Sequence, residues 1–249
     1  MLLLTLVGAT CLFATIYGTA FVFTVVIVKI KPFIGKNMER DPWRSALMIS
    51  PVVGLTSLLL IFFLSQGQFT RYGLRGLPVE DLLIMAVEGL VTAAGLLLAG
   101  EAILTLKKSP RSSWFAGTTL KERTFASLLL VLFPSVSEEL AFRSAIQLFV
   151  DSREGFPVPT GLLITPGVLT AAVLFSVIHV PLVTQKPSLE VFITVVIALI
   201  MGIIAGVFVN QSGSLLPAIV LHAEFNLLGA IIEMVRNAKQ ANDRLEFPI

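Results

Sequence analysis

Apolar runs of about 20 residues recur along the whole sequence, separated by short segments that hold most of the charges, glycines and prolines. A run of that length, wound as an α-helix, crosses a hydrocarbon core of about 30 Å. With 55% hydrophobic and only 14% charged residues, the chain lacks the polar surface of a soluble domain of its size. The sequence therefore predicts an all-α, polytopic transmembrane bundle of about seven (seven or eight) spans, at 2–28, 45–65, 82–106, 124–150, 162–180, 190–209 and 215–235.

Basic residues are distributed unevenly between the connecting segments. Of the 18 Lys and Arg residues, 14 fall in alternate segments, at 29–44, 107–123, 186 and 236–244, and three fall in the others, at 71–75 and 153. Because cytoplasmic loops carry the excess of basic residues, this bias places the amino terminus outside and the carboxy terminus in the cytoplasm. We expect the basic segment 105–123 to meet anionic lipid. Membrane lipid is thus an expected partner, and nucleic acid is not.

Three regions follow from this pattern. We expect 1–120 to hold the amino-terminal helices and a basic cytoplasmic loop, 121–235 to form a core, and 236–249 to be a cytoplasmic tail. The first run has no basic flank and is too long for a signal peptide, so it is interpreted as a retained span. The single cysteine, Cys11, excludes an intrachain disulfide and a Cys-rich metal site.

The fourth run contains charged residues, which are rare and usually functional inside a membrane. In the stretch FPSVSEELAFR, Glu139 and Arg143 are four residues apart with the acid on the amino-terminal side, which predicts an ion pair. Glu138 projects about 100° round the helix from Glu139 and has no obvious partner. It is therefore a spare carboxylate.

The only two histidines also lie in apolar runs. His179 follows Phe175 by one helical turn, and His222 shares a helical face with Asn226. These groups and Glu138 predict one buried polar pocket. No serine has a base–orienter arrangement, so the remaining chemistry is activation of water: a carboxylate takes the proton, and hydrogen-bond donors stabilise an oxyanion. Alternatively, Glu138, His179 and His222 ligate a metal.

Three motifs occur in order within 121–235: EELAFR fits EExxFR, FSVIH fits FxxxH, and HAEFN fits HxxxN. In these motifs the chain resembles the CPBP family of intramembrane proteases, also called the Abi or CAAX-protease family, which includes the type II CAAX prenyl endopeptidases. The resemblance implies a glutamic protease that needs no cofactor, with Glu138 as general base and His179 holding the water. His222 and Asn226 would form the oxyanion hole. One departure is Ser144, where the family often has glycine.

The resemblance also implies supporting residues and substrates. Glu139, Arg143 and Phe175 would support the site. The substrate would be a prenylated CaaX-type carboxy terminus, or a peptide in bacteriocin processing or self-immunity. The compact length of the chain favours a bacterial or archaeal origin, so the expected location is the cytoplasmic membrane of a prokaryote.

Two rival hypotheses belong to other functional classes. One is a proton- or cation-coupled transporter with a relay of Glu138, His179 and Glu88. The other is a catalytically silent membrane scaffold.

Depth in the membrane is the main test of the predicted pocket. His179 lies near the end of the fifth run, whereas His222 lies deeper in the seventh. Their convergence requires the fifth helix to continue past Val180, or helices to tilt or break. Pro134 is the expected position of such a kink.

Overall fold

The computed structural model describes residues 1–30, 42–111, 119–156, 159, 162–180 and 188–246, and every regular element within them is helical. The α-helices are α1 (Leu2–Ile30), α2 (Pro42–Ser65), α3 (Val79–Leu106), α4 (Leu120–Glu139), α5 (Leu148–Glu154), α6 (Pro166–Val177), α7 (Ser188–Ser212) and α8 (Leu216–Glu246). A short 3-10 helix, Phe69–Tyr72, precedes α3, and a π-helical segment, Leu140–Gln147, joins α4 to α5. Basic residues 31, 36, 40 and 186, which contribute to the charge bias, lie outside the described ranges.

Six helices in the described part are long and apolar enough to cross a membrane, which confirms the predicted polytopic helical bundle. One of them, Lys121–Glu154, is continuous through α4, the π-helical segment and α5, and we call it the central rod. Helix α8 continues to Glu246, so the predicted tail begins as an extension of a helix.

The fifth predicted span is shorter than expected. Helix α6 has 12 residues and therefore rises about 18 Å, which is less than the thickness of a hydrocarbon core. Of the routes to convergence, continuation of the fifth helix past Val180 does not occur, because the helix ends at Val177. Helix α4 also does not break at Pro134, the expected position of a kink. It continues through Pro134, and the helical geometry changes only at Leu140, where the π-helical segment begins. Segments of π-helix are rare and occur often at functional sites.

The central rod carries a column of buried polar residues that we call the polar ladder: Glu139, Arg143, Gln147 and Asp151. Each is at most 1% exposed, and the spacing of four residues keeps them near one side of the rod. Burying four such groups is unfavourable unless each finds a partner. The partners come from α6, α7 and α8, so the ladder determines how those helices pack on the rod.

The carboxyl-terminal half of the polar ladder holds the start of α6. Asp151 accepts hydrogen bonds from the Gly167 backbone N–H and the Thr165 hydroxyl, both at 2.8 Å. Gln147 donates to Asn210 Oδ1 of α7 at 2.9 Å. Asn210 in turn donates to the Thr165 hydroxyl at 3.3 Å. This closed network fixes the depth at which α6 begins, and thereby the depth at which it ends.

Close packing of α6 on α7 depends on a glycine. A Cβ atom on Gly202 would lie 2.9 Å from the Cα atom of Ala172 in α6, closer than packed side chains approach. Gly202 therefore allows the two backbones to touch. Helix α6 is therefore held by Asp151 at one end and by α7 along its length.

We expect Asp151→Ala to lower the free energy of unfolding by about 2–3 kcal/mol, because it removes an N-terminal cap and leaves buried donors without acceptors. The measurement is unfolding of the purified protein in mixed micelles. Asp81→Ala is the matched control, since Asp81 is an exposed residue in the first turn of α3 and its loss costs less than about 1 kcal/mol. Equal effects of the two changes would contradict the anchoring role of Asp151.

Candidate active site

The carboxylate of Glu139 joins α4 to α8. Its Oε1 atom lies 2.8 Å from Nδ1 of His222, and its Oε2 atom lies 3.0 Å from Nε of Arg143. Both Glu139 and Arg143 are 1% exposed. The bond from Nδ1–H to Glu139 fixes the orientation of the imidazole ring and turns Nε2 toward the neighbouring Glu138.

Glu138 is the more accessible of the two carboxylates, with 22% of its side chain exposed against 1% for Glu139. Its Oε2 atom is 3.8 Å from Nε2 of His222. That separation is too long for a direct hydrogen bond, but a water molecule or a substrate oxygen placed between the two atoms reaches both. The adjacent carboxylates therefore have different surroundings, one enclosed by protein and one facing open space.

Phe175 of α6 is the packing centre of the site. Its ring lies edge-to-face with the rings of His179, His222 and Phe142, at centroid distances of 4.9, 5.7 and 5.1 Å. The Arg143 guanidinium carbon is 5.3 Å from the same ring, which is a cation–π contact. This single aromatic side chain therefore sets the relative positions of both histidines and the buried cation.

His179 lies just beyond the end of α6, and its Nδ1 atom is 2.8 Å from the carbonyl oxygen of Phe175. Because a carbonyl oxygen only accepts hydrogen bonds, Nδ1 carries the proton in this bond. In the neutral ring, Nε2 is then the nitrogen without a proton. Asn226 donates from Nδ2 to the Ser135 hydroxyl at 3.2 Å and to the Leu130 carbonyl at 3.4 Å. Both bonds are long, and both are made to α4.

A cavity of about 460 Å³ brings these groups together. Glu138, His179, His222 and Asn226 all line it, with Phe175 at its wall. From there the cavity follows α8 to Arg236, at the end of the bundle where α3 finishes and α7 starts. Most of the remaining lining is aliphatic, from α3, α4 and α7. The groups predicted to share a pocket therefore line one cavity. The cavity is apolar in its middle and has further charged residues at its other end, namely Glu101, Glu190, Glu233 and Arg236.

The positions of these side chains also bear on the metal-site and transporter hypotheses. No group of three or more His, Cys, Asp and Glu side chains within the described ranges is arranged to hold a metal ion. His222 is bonded through Nδ1 to Glu139, so only Nε2 remains for a ligand. In the transporter hypothesis the relay includes Glu88, but Glu88 is exposed on α3 and does not line the cavity with Glu138 and His179.

Residues 121–228 match the family model of the Rce1-like type II CAAX prenyl endopeptidases. The match covers the central rod, α6, α7 and the cavity-lining part of α8 that carries His222 and Asn226. This segment belongs to the CPBP, or CAAX protease, family. No curated protein and no solved structure matches the chain.

All seven residues predicted for the site lie within the CAAX protease segment, and the structure gathers them around Phe175 and the cavity. Two features of the site were not predicted from the sequence. Glu139 was expected to pair with Arg143, but it also bonds His222. The network of Gln147, Asp151 and Asn210 was not predicted either. The spacing of four residues from Glu139 to Asp151 was the available signal.

We expect Arg143→Gln to lower the free energy of unfolding by about 3–5 kcal/mol, because it leaves the Glu139 charge buried without its counter-ion. Arg111→Gln is the matched control. It breaks an ion pair with Glu101 of the same 3.0 Å length, but one whose side chains are 22% and 32% exposed. Such a pair contributes about 0–1 kcal/mol. Unfolding in mixed micelles measures both, and similar losses would contradict the importance of burial.

Proposed function

We propose that the protein is an intramembrane endopeptidase that hydrolyses a peptide bond with a water molecule activated by Glu138. The supporting observation is that Glu138, His179 and His222, which come from three separate parts of the chain, meet at one cavity in a CAAX protease segment. The accessible carboxylate, Glu138, is the general base. The enclosed carboxylate, Glu139, holds His222 in position.

Glu138 takes the proton from the attacking water and later returns it to the leaving amine. His179, whose Nδ1 atom bonds to the Phe175 carbonyl, helps to hold the same water. The tight turn after α6 thus gives this histidine a defined tautomer before substrate arrives. Water held between Glu138 and His179 is oriented for attack, and orientation lowers the barrier to reaction.

His222 and Asn226 stabilise the developing oxyanion. With His222 as an imidazolium, Glu138, Glu139, Arg143 and His222 sum to zero charge, which is the arrangement that a low dielectric favours. Nδ1–H then donates to Glu139, and Nε2–H donates to the oxyanion. The long bonds from Asn226 to α4 are weak enough to be exchanged for a bond to the oxyanion.

The proposed substrate is a flexible, membrane-associated peptide. A prenylated CaaX-type carboxy terminus fits the aliphatic walls of the cavity, and a peptide of bacteriocin processing or self-immunity is the other candidate. The chemistry assigned to Glu138 and the two histidines requires no metal. The proposed location is the cytoplasmic membrane of a prokaryote, with the cavity open toward the side that carries the basic segment 105–123.

The decisive experiment follows cleavage of a fluorescence-quenched, farnesylated CaaX peptide by the purified protein in nanodiscs. We expect Glu138→Gln to reduce kcat by about 10²–10⁴-fold, because it removes the general base. Glu88→Gln is the matched control, an identical change at an exposed residue outside the cavity, and should leave cleavage unchanged.

A strong chelator provides a further arm of the same assay. Full activity in its presence supports the metal-free reaction, whereas loss that added metal restores would reassign His179 and His222 as ligands. A folded wild-type protein that cuts neither the CaaX peptide nor unprenylated peptides would refute the proposed activity.

The charge bias makes a separate prediction about orientation. In a Cys11→Ser background, Gln68→Cys in the loop before α3 should react with a membrane-impermeant maleimide in intact cells. Lys108→Cys, just after α3, should react only after the membrane is opened, because the positive-inside rule places it in the cytoplasm. The Cys11→Ser protein alone is the control, and the reverse labelling pattern would invert the topology.

A further inference from the structure

Unpaired polar atoms are concentrated behind the candidate active site. Nine buried side-chain nitrogen and oxygen atoms have no hydrogen-bond partner among the described residues, and five of them belong to Tyr17, Glu139 and Arg143. They are the Tyr17 hydroxyl, Glu139 Oε2 and all three guanidinium nitrogens of Arg143. The 3.0 Å contact between Arg143 and Glu139 is an ion pair without hydrogen-bond angles. One partner common to the three side chains would satisfy atoms on all of them.

Tyr17 lies in α1, outside the CAAX protease segment, yet it packs directly on that segment. Its ring centroid is 5.7 Å from that of Phe142, the residue before Arg143, and Phe142 in turn contacts Phe175. Its buried hydroxyl lies near enough to Glu138, Glu139 and Arg143 for their charges to act on it. Aromatic packing thus holds the phenol with its polar end toward the two glutamates and Arg143.

Tyr17, Glu139 and Arg143 do not line the 460 Å³ cavity. Their unpaired atoms therefore lie outside the cavity, in the region where α1 packs on the π-helical segment of the rod. Buried polar atoms of this kind are usually joined by ordered water, which makes about three hydrogen bonds to groups that lack other partners. A phenol, a guanidinium and a carboxylate offer donors and acceptors for such a bridge.

We propose that Tyr17 is a positioning residue of the site, whose hydroxyl is joined by ordered water to Arg143 and to Oε2 of Glu139. The bridge holds the Glu139 carboxylate in the plane that receives Nδ1–H of His222. Tyr17 touches no substrate and acts only through Glu139. The first helix, which the family model does not include, thereby contributes to the geometry of the catalytic groups. The effect on reaction rate rests on the proposed peptidase function, whereas the water-bridged contact does not.

Kinetics with the farnesylated CaaX peptide test the positioning role. Tyr17→Phe keeps the ring and removes only the hydroxyl, and we expect kcat to fall about ten-fold, with KM and the thermal midpoint unchanged. Tyr72→Phe is the matched control, because Tyr72 is the only other tyrosine in the sequence and lies outside the site. In a Glu139→Gln background, Tyr17→Phe should have little further effect, since the group that it positions is already altered.

A second measurement needs no activity. With 3-fluorotyrosine replacing both tyrosines, the ¹⁹F spectrum has two resonances, and Tyr17→Phe assigns them. Glu139→Gln should shift the Tyr17 resonance and leave the Tyr72 resonance in place, whereas Glu88→Gln should shift neither.

The outcomes separate the two proposals. The positioning role would be overturned by any of three results. These are an unchanged kcat in Tyr17→Phe, an equal fall in kcat when Glu139 is already replaced, and a Tyr17 resonance that does not shift in Glu139→Gln. If the wild-type protein cuts no peptide, the peptidase proposal fails, and the fluorine resonance alone decides whether Tyr17 contacts the ion pair.

Discussion

One buried carboxylate, that of Glu139, is shared by a cation on its own helix and a histidine on another. Without Arg143 its charge would be too costly to bury, and without His222 the two long bonds from Asn226 would be the remaining polar contacts described between the central rod and α8 at the level of the cavity. The neighbouring Glu138 is free to face the cavity because Glu139 carries the structural role. Two adjacent glutamates on an α-helix point about 100° apart, so one position faces protein and the other faces open space.

The other residues of the polar ladder also join the central rod to neighbouring helices. Arg143 contacts Phe175, Gln147 bonds to α7, and Asp151 holds the start of α6. In a bilayer, helices gain little by burying apolar surface against one another, so hydrogen bonds and close contacts determine how they pack. A short α6, anchored at its first turn and packed on Gly202, ends within the bundle. His179 reaches the cavity for that reason, at a depth that a full-length span would have passed.

Much of this organisation was predictable from the sequence. Hydropathy predicted the helical bundle because length and apolarity are nearly sufficient conditions for a span. The Glu139–Arg143 pair followed from local helical spacing. The bond from Glu139 to His222 did not, because it joins residues 83 positions apart whose relative depth depends on how helices pack. The short length of α6 was also missed, since the run 162–180 is mostly apolar and Asp151, which accepts from the first turn of α6, lies on another helix. The catalytic roles of Glu138, His179, His222 and Asn226 remain predictions.

The cavity also limits the shape of what can enter it. His222 and Arg236 mark its two ends on α8 and are separated by 14 residues, which corresponds to about 21 Å of helix. An extended chain advances about 3.3–3.6 Å per residue, so about six residues of unfolded peptide separate the charged end from Glu138. A folded domain cannot enter so narrow a space. Under the proposed peptidase function, loose chain ends and unstructured loops are the parts of a protein that reach Glu138, and folded neighbours in the same membrane are not cut.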